Sequence, residues 1–184
     1  MAHAVKDWRI ALIEAHPKLF HPTQAHPERV NGYPACRDGW RDLLERACAR
    51  IEAALAEGGG TFTARQVKEK FGALRFYWGG TVSPEVRLRI DEAIALAEAR
   101  SACTCETCGE PGRLYQISGW YTTSCRAHAQ ADVEPVPVKP GRENVHVVAI
   151  AKPGGGFRRV PRRYDRATDS FVDGGSGFPG IQEE

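Results

Sequence analysis

The clearest chemistry in this 184-residue chain lies in two short pairs, Cys105-x-x-Cys108 and, after sixteen intervening residues, Cys125-x-x-His128. Three potential thiolates and an imidazole at this spacing fall inside the template of structural zinc sites. Two residues between ligands let both side chains of a pair reach one tetrahedral ion from a tight turn, and Gly109 can take the positive φ that such a turn requires. The second pair is expected on the first turn of a helix running through Arg126 to Ala131, capped by Thr123 or Ser124, with amide dipoles that favour the Cys125 thiolate. Cys103 is an alternative to His128 as fourth ligand, although Cys103-x-Cys105 is tighter than the usual spacing. Four protein ligands leave no open position for a catalytic water, so the expected cofactor is one structural Zn2+.

No nucleophile paired with a base and no acid pair suggests catalysis, and the expectation is a protein that is not an enzyme. The glycine runs at 58–60 and 154–156 lack the lysine and Ser/Thr of a phosphate loop. Three His-Pro dipeptides (His16, His21, His26) read as a surface loop rather than a chelate, because the prolines favour extended or turn structure and no acid or cysteine completes the set. Lys68, Lys70 and Arg75 could grip phosphate but read first as the solvent face of a hairpin. The net charge of +2 is unevenly spread. Residues 138–166 hold eight basic and two acidic side chains, a local +6, so the rest of the chain is −4. Within that segment Lys152, Arg158, Arg159, Arg162, Arg163 and Arg166, with Phe157 and Tyr164 interleaved, form the candidate surface for nucleic acid or another partner. Arginines would fall on both faces of this strand, which reads first as an edge protected against aggregation.

Elements of both kinds must position these groups, an α+β fold. Val5, Trp8, Leu12 and Ala15 predict a helix from Ala4 to Ala15, stopped by Pro17, and His16 to Pro34 reads as loop. Asp38 is a candidate N-cap for a helix carrying Trp40, Leu43, Leu44, Ala47, Cys48, Ile51 and Leu55 on one stripe, ended by Gly58 to Gly60. Two antiparallel strands are predicted around Glu69 to Gly72, with Leu74, Phe76 and Trp78 on one face and Gly72 in the left-handed position. Ser83-Pro84-Glu85 opens a helix to about Ser101 that delivers the chain into the cysteines. Leu114, Tyr115, Ile117 and Trp120 belong to a hairpin, Pro135 and Pro137 to an extended linker, and Val145 to Ile150 and Phe157 onward to a last hairpin turning at Pro153 to Gly156. The expected division is a helical and hairpin core (1–102), a zinc-binding module (103–132), a linker (133–140), a basic β-hairpin (141–172) and a flexible tail (173–184). A composition 42% apolar suits one main core, and neither a membrane span nor a signal peptide is evident, so the cytoplasm is the expected location, with no membrane partner.

The Cys-x-x-Cys-Gly knuckle, hairpin and Cys-x-x-His from Cys105 to about Ala131 resemble the treble-clef zinc fingers, which bind nucleic acids or proteins and in a few cases catalyse. The run Val67-Lys68-Glu69-Lys70-Phe71-Gly72-Ala73-Leu74-Arg75-Phe76-Tyr77, preceded by Gly39-Trp40 and followed by the knuckle, is similar to a family of uncharacterised bacterial and prophage proteins, over Trp8 to about His128. That resemblance implies a bacterial or phage setting and no established activity. The expected function is therefore a zinc-stabilised interaction protein with a protein partner, an inhibitor of a host nuclease or defence complex being one example. The alternative is a nucleic-acid-binding regulator, against which the weak overall charge argues, because such domains usually have a pI above about 9.

Overall fold

The computed structural model of the protein describes residues 7–152 and 156–172, and these form an α+β fold. Asp7 caps α1 (Trp8–Ala15) by accepting the Arg9 amide, and Trp8, Leu12 and Ile13 face the core. The predicted start at Ala4 falls outside the described residues. The stretch read as loop contains a further helical turn, α2 (Pro17–Phe20), with proline at its first position. Leu19 and Phe20 are buried there, and with only two apolar residues the turn offers no periodicity to detect.

The long helices α3 (Arg41–Gly58) and α4 (Pro84–Ser101) form the centre of the core. They run antiparallel, because Glu57 at the end of α3 pairs with Arg89 near the start of α4, and Asp42 at the start of α3 pairs with Arg100 near the end of α4. On α3 the stripe Leu43, Leu44, Ala47, Cys48, Ile51 and Ala54 is buried, and Gly59 at φ 72° ends the helix. Asp38 does not cap α3. It lies in a 3-10 turn (Asp38–Trp40), and its carboxylate instead accepts from the Trp8 indole at 2.8 Å and from Arg9 at 3.1 Å, joining α1 to the entry of α3. The Ser83 hydroxyl does cap α4, accepting the Val86 amide, with Pro84 at the first helical position.

A three-stranded sheet in the order β1 (Pro34–Ala35), β2 (Thr63–Lys70), β3 (Ala73–Gly79) covers the helices, with β1 parallel to β2 and β2 antiparallel to β3. Ala64, Val67, Leu74 and Phe76 point into the core, while Tyr77 is exposed. The turn between β2 and β3 places both Phe71 (φ 55°) and Gly72 (φ 77°) in the left-handed region, as a two-residue primed hairpin turn requires. Glycine tolerates this freely, whereas for a bulky side chain such as Phe71 it costs about 1 kcal/mol. Its ring is nonetheless 65% exposed.

After α4 come an antiparallel hairpin, β4 (Arg113–Ile117) with β5 (Trp120–Ser124), and a sheet in the order β6 (Val145–Ala151), β7 (Phe157–Asp165), β8 (Ser170–Val172). The third strand was not expected; it pairs with Arg163 to Asp165 alone, so Phe157 to Arg162, the stretch read as a protected edge, pairs with β6 on one side and with no other strand among the described residues. The predicted turn residues 153–155 and the tail 173–184 fall outside the described residues. The last sheet packs on α4, with Tyr164 buried against Leu96 and Ala99. Asp169, only 7% exposed, fastens it: the carboxylate accepts from Arg50 at 2.8 Å and from the Tyr164 hydroxyl, with Arg46 and Arg100 each 3.6 Å away. The linker is fastened too, since the Val136 amide donates to the Leu114 carbonyl at 2.7 Å. Among the described residues no helix is long and apolar enough to cross a membrane.

Candidate metal centre

The loop after α4 doubles back on itself. The Cys105 amide donates to the Glu110 carbonyl at 2.8 Å and the Gly109 amide to the Cys105 carbonyl at 2.9 Å, while Gly109 adopts φ 83° as expected. This presents Cys105 and Cys108 on one side of a knuckle. The strand pair β4–β5 then returns the chain so that Cys125 follows directly after β5. The His128 and Ala129 amides both donate to the Cys125 carbonyl, at 3.1 and 2.9 Å, and this single turn is all that forms. The expected helix through Ala131 is absent, for a visible reason. Thr123 and Ser124, its candidate caps, belong to β5, and the Thr123 hydroxyl donates to the Gly72 carbonyl at 2.6 Å.

Cys105, Cys108, Cys125 and His128 converge, their ligand atoms all within 4.8 Å of one another, close enough to hold a metal ion. Bonds of about 2.3 Å to sulfur and 2.0 Å to nitrogen in a tetrahedron place two sulfurs about 3.7 Å apart, and sulfur and nitrogen about 3.5 Å apart. The Cys108 and Cys125 sulfurs are 3.7 Å apart, and the His128 Nδ1 lies 3.3 Å from the Cys125 sulfur and 3.7 Å from that of Cys105. These three separations are close to those of a tetrahedral ion, with Nδ1 turned toward the sulfurs as the imidazole ligand atom. Burial pushes the Cys105 thiol up, but the amides of Cys125, Cys108 and Thr107 directed at its sulfur outweigh this and hold it near its thiolate, at about 6.

The other cysteines are set apart. Cys103 is not a ligand: its thiol reaches the Arg100 carbonyl at 3.3 Å, and it packs beside Leu96, Ala99 and Tyr164. Cys36 and Cys48 are buried, which pushes the Cys36 thiol up to about 12 and raises that of Cys48 as well. The three His-Pro histidines have separate partners, His16 with Glu52 at 2.9 Å, His21 with the Phe62 carbonyl at 2.8 Å and His26 with Glu28 at 3.1 Å.

The knuckle is wedged between two other parts of the fold. On one side the Gly39 amide donates to the Glu106 carbonyl at 2.8 Å and the buried Trp40 indole to the Thr104 carbonyl at 3.0 Å. On the other, Arg166 donates to the Gly109 carbonyl at 3.0 Å. That contact divides the six basic residues proposed as a binding surface. Arg166 is turned onto the knuckle, and Arg163 donates to the carbonyls of Glu143 and Gly141, both at 2.9 Å. Lys152, Arg158 and Arg159 are exposed and Arg162 is partly buried, so the six do not form one outward stripe. Sequence reasoning missed the Arg166 contact because a loop arginine carries no periodic signal. Comparison of the chain with protein-family models, with curated proteins and with solved structures gives no match.

Proposed function

We propose that the protein is a cytoplasmic, non-enzymatic, zinc-stabilised interaction module whose partner is another protein. The observation that carries the metal reading is the convergence of Cys105, Cys108, Cys125 and His128, three of whose sulfur and nitrogen separations are close to those of a tetrahedral zinc site. Bound there, zinc would cross-link the knuckle to the end of β5, and all four positions would be taken by protein atoms, which suits a structural rather than a catalytic role. The partner reading is supported by large rings left in solvent at the hairpin tips, Trp120 at 81% and Phe71 at 65% exposed, since exposed Trp and other aromatics are enriched where proteins anchor one another. The nucleic-acid alternative is weakened by the commitment of Arg163 and Arg166 to backbone carbonyls of the protein itself.

Metal analysis should find one zinc per chain, and Cys108→Ser or Cys125→Ser should give unfolded or insoluble protein, because binding energy at such a site is also folding energy. Less than about half an equivalent in carefully purified protein would remove the zinc reading. Capture from a host lysate with and without nuclease tests the partner class: retention after nuclease treatment supports a protein, and complete loss of the captured material overturns that reading.

A further inference from the structure

Two hairpins far apart in the chain lie side by side, the turn of the first resting on the strands of the second. Thr123 of β5 donates to the Gly72 carbonyl in the β2–β3 turn, and the Gly72 Cα sits so close to Leu114 of β4 that a Cβ there would lie 2.3 Å from its Cδ1. This contact opens a groove of about 390 Å³ walled by Lys68, Lys70 and Phe71 on one side and Gly119, Trp120 and Tyr121 on the other. The Phe71 ring meets Tyr121 edge to face, with centroids 6.4 Å apart, and the Lys70 ammonium lies 5.2 Å from the Phe71 ring centre. Glu69 borders the same groove, but its carboxylate is turned to the Gly72 amide at 2.6 Å.

Resting on the protein-partner reading above, we propose that this groove is the docking site for an acidic peptide segment of the partner that carries one bulky apolar anchor residue. Two features argue for that occupant. The volume suits one or two side chains and is rimmed by rings, as anchor pockets are, while its charged lining is Lys68 and Lys70 against Glu69 alone, a net positive charge, with the Glu69 carboxylate held by the Gly72 amide of the turn. Phe71 supports a binding role independently: an exposed phenylalanine in the left-handed region breaks both the turn preference and the burial preference of its residue type, and such violations concentrate at functional positions. Single-stranded nucleic acid fits less well. It needs a continuous basic track and ring faces on which successive bases stack, whereas here the interplanar angle between Phe71 and Tyr121 is 86° and only two lysines line the wall.

The test pans a library of random displayed dodecapeptides on the zinc-loaded full-length protein, with Trp120→Ala as the counter-target. The recovered peptides should carry acidic residues around an aromatic or large aliphatic residue. A synthetic peptide of their consensus should bind wild type at least tenfold more tightly than it binds either Trp120→Ala or the double variant Lys68→Glu/Lys70→Glu. Both variants should keep the wild-type zinc content and melting temperature, and the lysine variant tests the groove even if removing Trp120 disturbs its hairpin. Absence of enrichment over Trp120→Ala, recovery of basic or charge-free peptides, or tighter binding of a twelve-nucleotide oligo(dT) that the same substitutions abolish would overturn the proposal. Nuclease-resistant capture of a lysate protein that persists in both variants would sink the groove alone and leave the protein-partner reading standing. Capture lost on nuclease treatment of wild type would sink that reading itself.

Discussion

A single methyl group on Gly39 should dismantle the metal centre from a distance. Gly39 sits where the 3-10 turn presses against the knuckle, and a Cβ built there would lie 2.3 Å from the Cys105 carbonyl oxygen, 2.4 Å from the Gly109 nitrogen and 2.7 Å from the Cys108 nitrogen. Nonbonded heavy atoms settle at about 3.5 Å, so the knuckle must retreat by roughly 1 Å, and all three obstacles are backbone, which cannot rotate aside. Such a retreat breaks the hydrogen bond from Gly39 to Glu106 and the one from the Trp40 indole to Thr104. Leaving buried partners unpaired costs about 1 to 3 kcal/mol each, so Gly39→Ala should lose roughly 3 kcal/mol or more. The retreat also moves Cys105 and Cys108 relative to Cys125 and His128 by several times the ~0.2 Å that a metal site tolerates, and zinc affinity should fall at least tenfold. Urea unfolding of the zinc-loaded protein measures the first quantity and competition with a chromophoric chelator the second. Gly119→Ala is the control. Gly119 also has a positive φ, 85°, but a Cβ added to it would meet nothing within 4 Å, so the substitution should cost about 1 kcal/mol of strain and leave zinc affinity unchanged. A Gly39→Ala protein within about 1 kcal/mol of wild type with unaltered zinc affinity would refute the wedge argument.

Trp40 is fully buried, so Trp40→Ala should lose roughly 3 to 5 kcal/mol in urea unfolding, and a loss below about 1 would contradict its place in the core. Phe71→Asn should stabilise the protein slightly, by about 0.5 kcal/mol, because relief of the left-handed strain outweighs loss of the exposed ring's edge contact and its lysine. A measured destabilisation beyond that size would make the ring a structural element rather than a binding one. Burial raises the Asp169 carboxyl, but the Tyr164 hydroxyl together with Arg50 and Arg100 holds it below the usual carboxylate range. Stability from a carboxyl depressed in the folded state is present above its unfolded pKa, near 4, and is lost as pH falls through the lower folded value. Asp169→Asn should therefore weaken the protein at pH 7 and flatten the decline of stability below about pH 4; an unchanged acid limb in denaturation measured from pH 2 to 7 would count against the clasp.

Features that depend on neighbours along the chain were legible before any fold was known. The spacing of Cys105, Cys108, Cys125 and His128 is a local geometric demand of one small ion. The stripes of α3 and α4, the Ser83-Pro84 start and the turn around Glu69 to Gly72 with Gly72 left-handed could be read for the same reason, since each is a repeat or a backbone preference contained in a few residues, whereas the left-handed Phe71 beside it went against its residue type and was not. Where polar side chains find their partners was settled only by the packed chain. Asp38 had the right type and place to cap α3, yet the Trp8 indole and Arg9, brought from α1, compete for its carboxylate and win. Thr123 could have capped a helix at Cys125 but is held in β5 and bonded to Gly72, so that helix never starts. Arg163 and Arg166 look in the sequence like any other members of a basic run, and only the folded chain offers them the carbonyls of Gly141, Glu143 and Gly109. The groove between Phe71 and Trp120 had no sequence signal either, because its walls come from two hairpins that meet only when zinc-module and core strands pack. Local spacing and periodicity survive in any conformation the chain adopts, whereas a hydrogen-bond partner drawn from a distant segment exists only after the core has closed.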